Sequence, residues 1–356
     1  MTLSPPAPIP VEDDPNFRPL LLKDFIGQEP AKAMLGLMLE GFRRRREIDA
    51  NLSLDHLLFV GPPGLGKTTL ARVIANELGV NCLTRVGKAF QRPGDLVSVL
   101  VTLKRGDVFF IDEIHELVQL FTVLYEAMED FELTIPAAKT GGTPTRLKLP
   151  RFTLIGATTE PSQLSQPLQD RFGKPITLRP YSQEELELIA ERDAGLMGYL
   201  IDYGATRLIA SRARGTPRLL LYWLKRSRDL AAARSTEITE EIADEALSVM
   251  EVDENGLDDN DRRYLTALAT INEGRPVGIK VLAADIGLPV ESVEKLIEPY
   301  LIHKRYIVRT HGGRLLTRSG RAYILPHLKK AGLLSDAEWI ETLASDVPQA
   351  EQARIS

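Results

Sequence analysis

Three short apolar runs stand out along the chain: His56–Val60, Asp107–Asp112 (DVFFID) and Phe152–Ala157 (FTLIGA). Short apolar runs bounded by turn residues predict buried strands. Between them the periodicity changes to helical. From Lys23 to about Glu47 the apolar positions include Ala33, Leu35, Leu39 and Phe42, and Thr68–Leu78 repeats the pattern with Gly79 as its stop. Strands alternating with helices predict a parallel sheet covered on both faces. After Pro180 the strand signals fade. Helices are expected at Glu184–Leu196, Tyr203–Arg212, Arg218–Ala233 and Thr239–Val249. The acidic stretch Asp253–Asp261 then reads as a linker. Beyond it come three helical segments and two short strands, Tyr306–Arg309 and Arg314–Leu316, with Gly312-Gly313 as the hairpin turn. Three helices and a hairpin form the pattern of a winged helix. The expected organisation is a flexible leader (1–16), an α/β domain (17–181), a small helical domain (182–253), a winged-helix domain (254–330), and a last helix with a tail (331–356).

Composition narrows this picture. At 356 residues, two or three domains are expected. The single cysteine, Cys82, excludes an internal disulfide framework and a multi-cysteine zinc site, and fits a reducing, cytoplasmic compartment. Residues 1–15 lack a basic start followed by an apolar run, so no secretory signal is expected, and no run is long enough to predict a membrane span. The net charge of −5 is unevenly spread: residues 261–330 carry 13 Lys and Arg against 6 Asp and Glu, a net of +7, leaving −12 for the remainder. A basic module on an acidic body suits phosphate-backbone binding without sequence readout. A winged helix used for protein contacts is the competing use.

The stretch Gly61-Pro62-Pro63-Gly64-Leu65-Gly66-Lys67-Thr68 fits G-x-x-x-x-G-K-[ST], and it joins a predicted strand to a predicted helix. That context identifies a phosphate-binding loop rather than a turn with a chance lysine. Its glycines let successive N–H groups face inward, where phosphate oxygens meet them and the helix N-terminus. Lys67 is expected on the β- and γ-phosphates, and Thr68 on Mg²⁺. Asp112 and Glu113 end an apolar strand: Asp112 suits the metal, and Glu113 suits a general base acting on water. His115 reads as a metal ligand or, more simply, as a helix-start polar residue. Thr159, after the third strand, is placed to contact the γ-phosphate or the attacking water, or else to cap a loop. Arg171 fits either a finger reaching a neighbouring subunit's site or a surface pair with Asp170. Arg218 opens a helix of the second domain, from which it would reach the phosphates.

In order along the chain, these residues resemble the RuvB family, the bacterial Holliday-junction branch-migration motors of the AAA+ class. The resemblance runs from about Phe17 to Ile324. It is carried by FRPLLLKDFIGQE (17–29), HLLFVGPPGLGKTTLARVIANELGVN (56–81), GDVFFIDEIHEL (106–117), AMEDFEL (127–133), LPRFTLIGATT (149–159), PLQDRFG (167–173), RGTPRLL (214–220) and IEPYLIHKRYIVRT (297–310). It implies an AAA+ core, a helical lid and a winged helix. ATP and Mg²⁺ would bind at Gly64, Leu65, Gly66, Lys67, Thr68 and Thr69, with Arg18, Ile26, Tyr181 and Pro217 bordering the adenine. Thr159 would be a first sensor, Arg218 a second, and Arg171 a finger acting in trans. Glu129, Asp130 and Phe131 would lie near a neighbour's nucleotide, and Arg309 and Arg314 would meet DNA phosphates. The family also implies a hexameric ring on duplex DNA at four-way junctions, with a RuvA-like junction-binding protein as partner.

The sequence departs from the family at a few places. Pro136 and Ala137 follow Ile135 where the family has a second bulky apolar residue in the hairpin that docks on RuvA. The lost contact is about one buried Ile, roughly 1.5–3 kcal/mol, so weaker docking is expected. Glu116 stands where Arg is usual, Gln169 where many relatives are basic, and Gly312 where the wing has a central Arg. These departures define the alternative reading: an ATP-dependent switch or remodelling factor whose winged helix binds a protein.

Overall fold

A 3-10 turn at Leu22–Asp24 precedes α1 (Glu29–Ile48). The periodicity predicts this helix from Lys23, but the chain first turns back on itself. Gly27 (φ 73°) and Gln28 (φ 57°) are both left-handed, and Pro30 opens the helix. The Gln28 side chain fixes the turn: its Nε2 donates to Arg179 O at 2.6 Å, and its Oε1 accepts from Arg179 N at 3.0 Å. The basic end of α1 is a solvated helix end with local partners, Arg43 on Glu77, Arg44 on Glu40 and Arg45 on Asp55.

The chain continues through β1 (Leu57–Val60), α2 (Lys67–Leu78), β2 (Cys82–Val86), α3 (Pro93–Leu100), β3 (Val108–Asp112) and α4 (Phe121–Glu129). The hairpin β4 (Glu132–Ile135) and β5 (Thr145–Lys148) follows, then β6 (Thr153–Thr158), α5 (Gln166–Phe172) and β7 (Ile176–Thr177). This is a computed structural model that describes residues 19–135, 145–272 and 275–333. The leader 1–16, Arg18, Pro136, Ala137 and the tail beyond Leu333 lie outside the described residues.

Five strands form one parallel sheet in the order β2-β3-β6-β1-β7. The three predicted strands are its centre. Phe59, Phe109, Phe110, Leu154 and Ile155 are fully buried, as expected for strands covered on both faces. The flanking strands are not among those the sequence predicts. β2 is only half-buried and carries Thr84 and Arg85, and β7 has two residues. Register aligns the carboxyl ends of the central strands: Val60 pairs with Thr158, and Ile111 with Gly156. The strand ending in Asp112 is therefore not the direct neighbour of the strand leading into the phosphate loop; β6 lies between them.

Contacts divide the described residues into two units: those up to Arg228 with Ser235–Ile238, and Asp229–Arg234 with those from Thr239 onward. Helices α6 (Gln183–Leu196), α7 (Tyr203–Arg212) and most of α8 (Pro217–Arg234) belong to the first unit. α6 begins in a capping box, where Ser182 Oγ accepts from Glu185 N and Glu185 Oε2 from Ser182 N.

The second unit holds α9 (Glu240–Val249), α10 (Asp259–Thr270) and α11 (Ile279–Ile286). A broken helix follows: α12 (Val290–Ser292), a π-helical turn (Val293–Ile297) and α13 (Glu298–His303). Pro299 has no N–H to donate to the preceding turn, which loosens the helix there. The hairpin β8 (Ile307–Thr310) and β9 (Gly313–Leu316) and helix α14 (Arg318–Lys330) complete a winged helix around Tyr264, Leu282, Val293, Leu301 and Ile324. The two residues at the hairpin tip are His311 and Gly312, because Gly313 is already paired with Thr310. Gly313 (φ 135°) is needed for a different reason: a side chain there would strike the Val277 carbonyl, which accepts from Arg314 N at 2.8 Å.

Candidate functional site

The carboxyl ends of β1, β3 and β6 place the predicted chemistry on one edge of the sheet, a ligand-binding edge in parallel α/β folds. The loop after β1 turns through Gly64 (φ 82°) and Gly66 (φ 94°), and α2 starts at Lys67. Only glycine adopts these angles without strain, so the sequence motif and the backbone agree. A Cβ at Gly66 would lie 3.3 Å from Phe25 Cζ, and one at Gly64 3.1 Å from Arg218 Cβ. The loop is therefore enclosed by the turn before α1 on one side and by the start of α8 on the other.

These walls surround a cavity of about 650 Å³. Gly64, Gly66, Lys67, Thr68, Thr69, Asp112, Glu113, Ile26, Tyr181, Pro217 and Arg218 line it. The structure therefore brings most of the predicted nucleotide residues together. Leu65 is buried beneath the loop, and its carbonyl accepts from Tyr181 Oη at 3.3 Å. Burial pushes the Tyr181 hydroxyl's pKa up, so it stays protonated and able to donate.

Lys67 is buried, and its Nζ donates to Gly61 O at 2.7 Å and Pro62 O at 3.0 Å. Burial lowers its pKa, while the charges of Asp112 and Glu113 act in the opposite direction. Burial raises the pKa of Asp112, helped by the neighbouring Glu113 charge and opposed by Lys67. A polyanion with a hard cation would compensate both groups: phosphate for the ammonium, a metal for the carboxylate. The donor set fits Mg²⁺. Among the described residues no group of three or more His, Cys, Asp or Glu side chains forms a metal cage. Magnesium is typically held by one or two protein oxygens plus substrate phosphates and water, and Thr68 and Asp112 provide two.

Glu113 leaves β3 in the left-handed region (φ 50°, ψ 51°), strained for a residue other than glycine. Its Oε2 accepts from Thr159 N at 3.2 Å and Thr159 Oγ1 at 3.1 Å. Thr159 thus reaches the site through Glu113. The sequence offers His115 as a ligand or a helix-start residue; the side chain is instead buried, with Nδ1 2.9 Å from Thr158 Oγ1.

Arg171 and the 129–131 segment do not line this cavity. Arg171 does not pair with Asp170. Its Nη2 lies 2.8 Å from Glu129 Oε1, its Nη1 donates to Pro167 O at 2.8 Å, and its guanidinium covers the Tyr125 ring at 4.4 Å. Asp130 is exposed at the end of α4. Phe131 packs edge-on against Phe152, with Arg151 over its face at 4.9 Å. Two departures from the family pattern have partners here: Glu116 pairs with Lys88 at 3.2 Å, and Gln169 Nε2 donates to Pro161 O and Leu164 O.

In the wing, Arg309 and Arg314 converge on one carboxylate. Glu298 is fully buried and accepts from Arg309 Nε at 2.8 Å, Arg314 Nε at 2.8 Å and Tyr264 Oη at 2.8 Å. Arg314 also reaches Glu294 at 2.9 Å and is mostly covered, whereas the Arg309 side chain is half-exposed.

Sequence reasoning missed several cavity residues. They include Phe25 from the turn before α1, Thr84 from β2, Ile189, Arg192 and Asp193 from α6, and Leu221 from α8. Arg192 pairs with the adjacent Asp193 at 2.8 Å. Phe25 lies within the 17–29 block and Leu221 directly follows the 214–220 block, while the helical periodicity of α6 is the one signal for Ile189, Arg192 and Asp193.

Comparison with known proteins gives three consecutive family matches. Residues 17–178 match the Holliday junction DNA helicase RuvB P-loop domain, 181–253 the RuvB AAA lid domain, and 254–325 the RuvB C-terminal winged helix domain. Among solved structures, the Thermotoga maritima RuvB Holliday junction branch migration motor is 40% identical, with a TM-score of 0.76, covering 88% of this chain and 98% of that one. Two mutants of the same Thermotoga protein match over the same shares at 40% identity, with TM-scores of 0.77 and 0.78.

Proposed function

The chain belongs to the RuvB family of AAA+ proteins, and from that premise we propose that it is an ATP-driven ring motor that moves duplex DNA through Holliday junctions. The observation that carries this is the convergence of the phosphate loop, Asp112, Glu113 and Arg218 on one cavity. The family match through the winged-helix segment supports the DNA motor over a switch that uses this module for a protein partner.

The chain's own residues divide the work as follows. The loop amides and Lys67 bind the β- and γ-phosphates, and Lys67 exchanges its present carbonyl partners for phosphate oxygens. Thr68 and Asp112 would hold Mg²⁺, which when bound neutralises developing phosphate charge. Ile26, Tyr181 and Pro217 border the base. Glu113 takes a proton from the attacking water, and Thr159 orients the carboxylate that does so. Arg218 reaches the phosphates from the start of α8. Arg171, outside its own cavity, serves the site of the next subunit, which requires a ring; a hexamer is the expected size. Arg309, with its half-exposed guanidinium, is the better placed of the two wing arginines to meet a DNA phosphate. A RuvA-like protein is the expected junction partner, docking near β4, with weaker affinity for the reasons given by Pro136 and Ala137.

The test is migration of a synthetic four-way junction with ATP, with and without a RuvA-like protein. Strand exchange that requires ATP supports the motor. ATP turnover indifferent to DNA, with no junction moved, removes it. In parallel, Glu113→Gln should keep ATP binding and slow hydrolysis by roughly 10²–10⁴-fold.

A further inference from the structure

Between the turn after β3 and the end of β6 lies a polar cluster whose buried members, His115 and Thr158, have no role in the scheme above. His115 sits at its centre. Its Nδ1 is 2.9 Å from Thr158 Oγ1 and 3.4 Å from Glu113 Oε2, and its Nε2 is 3.7 Å from Glu160 Oε1. Thr158 Oγ1 also accepts from Glu160 N at 2.9 Å. A neutral imidazole carries its proton on one nitrogen or the other. In this setting each tautomer turns its N–H toward a carboxylate or its hydroxyl neighbour: Nδ1–H toward Thr158 and Glu113, Nε2–H toward Glu160.

The backbone shows why Glu113 needs such a neighbour. Its left-handed conformation takes it out of the strand's pleat, so the sheet no longer fixes where its side chain points. Gly87 on the adjoining loop admits the Glu113 carbonyl, since a Cβ there would clash with it. The main chain is thus held, while the carboxylate depends on side contacts. Thr159 holds it from the β6 side. The imidazole is the other contact, and it is almost wholly buried, so its position is set by packing rather than by solvent.

We infer that His115 is a positioning residue for Glu113: it holds the carboxylate in line with the attacking water, braced by Thr158 and by Glu160. This rests on Glu113 as the general base. His115 does not line the nucleotide cavity, so its removal should disturb catalysis without disturbing nucleotide binding.

The test uses the full chain, with steady-state and single-turnover ATPase rates and the affinity for a non-hydrolysable ATP analogue. His115→Leu fills the same space without a nitrogen. It should lower kcat by about 10–100-fold, the cost of a small misplacement at a reacting centre, with KM and analogue affinity within about 2-fold of the parent. His115→Asn places an amide near the Nδ1 position and should recover kcat to within about 3-fold. His115→Gln places it near Nε2 instead, and should recover less. In a Glu113→Gln background, His115→Leu should have no further effect, because the two groups act as a unit. Wild-type kcat in His115→Leu overturns the proposal. So does equal activity in the Asn and Gln variants, a comparison that stands even if the leucine variant does not fold. Additive losses in the double variant overturn it as well. Wild-type turnover in Glu113→Gln alone would instead defeat the general-base reading, so the two failures are distinct.

Discussion

Glu298 is the sharpest place to test how the winged helix is held together. Its carboxylate is fully buried and receives Tyr264, Arg309 and Arg314. Glu298→Ala leaves the buried Tyr264 hydroxyl without its acceptor and leaves the mostly covered Arg314 with Glu294, 2.9 Å away, as its remaining carboxylate. Removing one partner of a buried ion pair costs about 3–5 kcal/mol, most of it from the stranded charge. Arg309, half-exposed, returns to water and adds little. Because Glu294 keeps part of the Arg314 charge paired, the expected loss is at the lower end, about 3 kcal/mol, local to the second unit. Amide hydrogen exchange on peptides covering 305–318 reads it directly. At about 1.4 kcal/mol per factor of ten, exchange should quicken by roughly 10²-fold. Arg309→Gln, which removes only the exposed partner, should cost under about 1 kcal/mol. If Glu298→Ala changes exchange by less than about 5-fold, far below the factor set by a stranded buried charge, the carboxylate is not a keystone of the wing. The pH dependence gives a second check. Burial alone would raise this carboxyl's pKa, but hydrogen bonds from Arg314, Tyr264 and Arg309 outweigh it and hold the pKa below the ordinary value. A depressed folded-state pKa means the contribution is whole above the unfolded value, about 4.3 for Glu. It is lost as pH falls through the lower folded value. Protection of the wing should therefore weaken only in acid, and Glu298→Ala should abolish that dependence.

Other outcomes follow from the site. Arg171→Ala should abolish ATP turnover, and mixing it with a Lys67→Ala chain should restore part of it, measured as ATPase rate against mixing ratio; no recovery would argue against action in trans. Gly27→Ala meets both a left-handed φ of 73° and a Cβ 2.8 Å from Tyr181 Cε1. It should weaken ATP binding by displacing the base-side wall, seen as a raised Kd by titration calorimetry, with the phosphate loop intact.

The nucleotide half of this site was legible because its chemistry is local. Gly64, Gly66, Lys67 and Thr68 are consecutive or nearly so, and the left-handed angles they need are what glycine provides. Asp112 and Glu113 were legible because two acids at the tip of a buried strand carry a desolvation cost that a bound cation offsets. The strands beside them were not. Cys82–Val86 alternates weakly, being half-buried, and Ile176–Thr177 is too short to carry a period. The true start of α1 was hidden because the signal that ends a turn and starts a helix lies in two left-handed residues, one of them a glutamine. In the wing, the convergence of Arg309 and Arg314 on one carboxylate was not legible, since Glu298 sits 11 and 16 residues away in sequence on a helix broken by Pro299. His115 likewise showed no pattern; its neighbours at Thr158 and Glu160 come from another strand and the loop that follows it.

Arg171 enters no encounter as a bare cation. In the single chain its guanidinium already has a carboxylate, a backbone carbonyl and an aromatic face. If it serves a neighbouring site, assembly is a partner exchange rather than the capture of a free charge. Much of the desolvation is already complete within the subunit, and the net gain is the difference between Glu129 and a phosphate. Such an exchange makes turnover per chain rise with protein concentration, as a bimolecular process does, and leaves an isolated subunit able to hold ATP without consuming it.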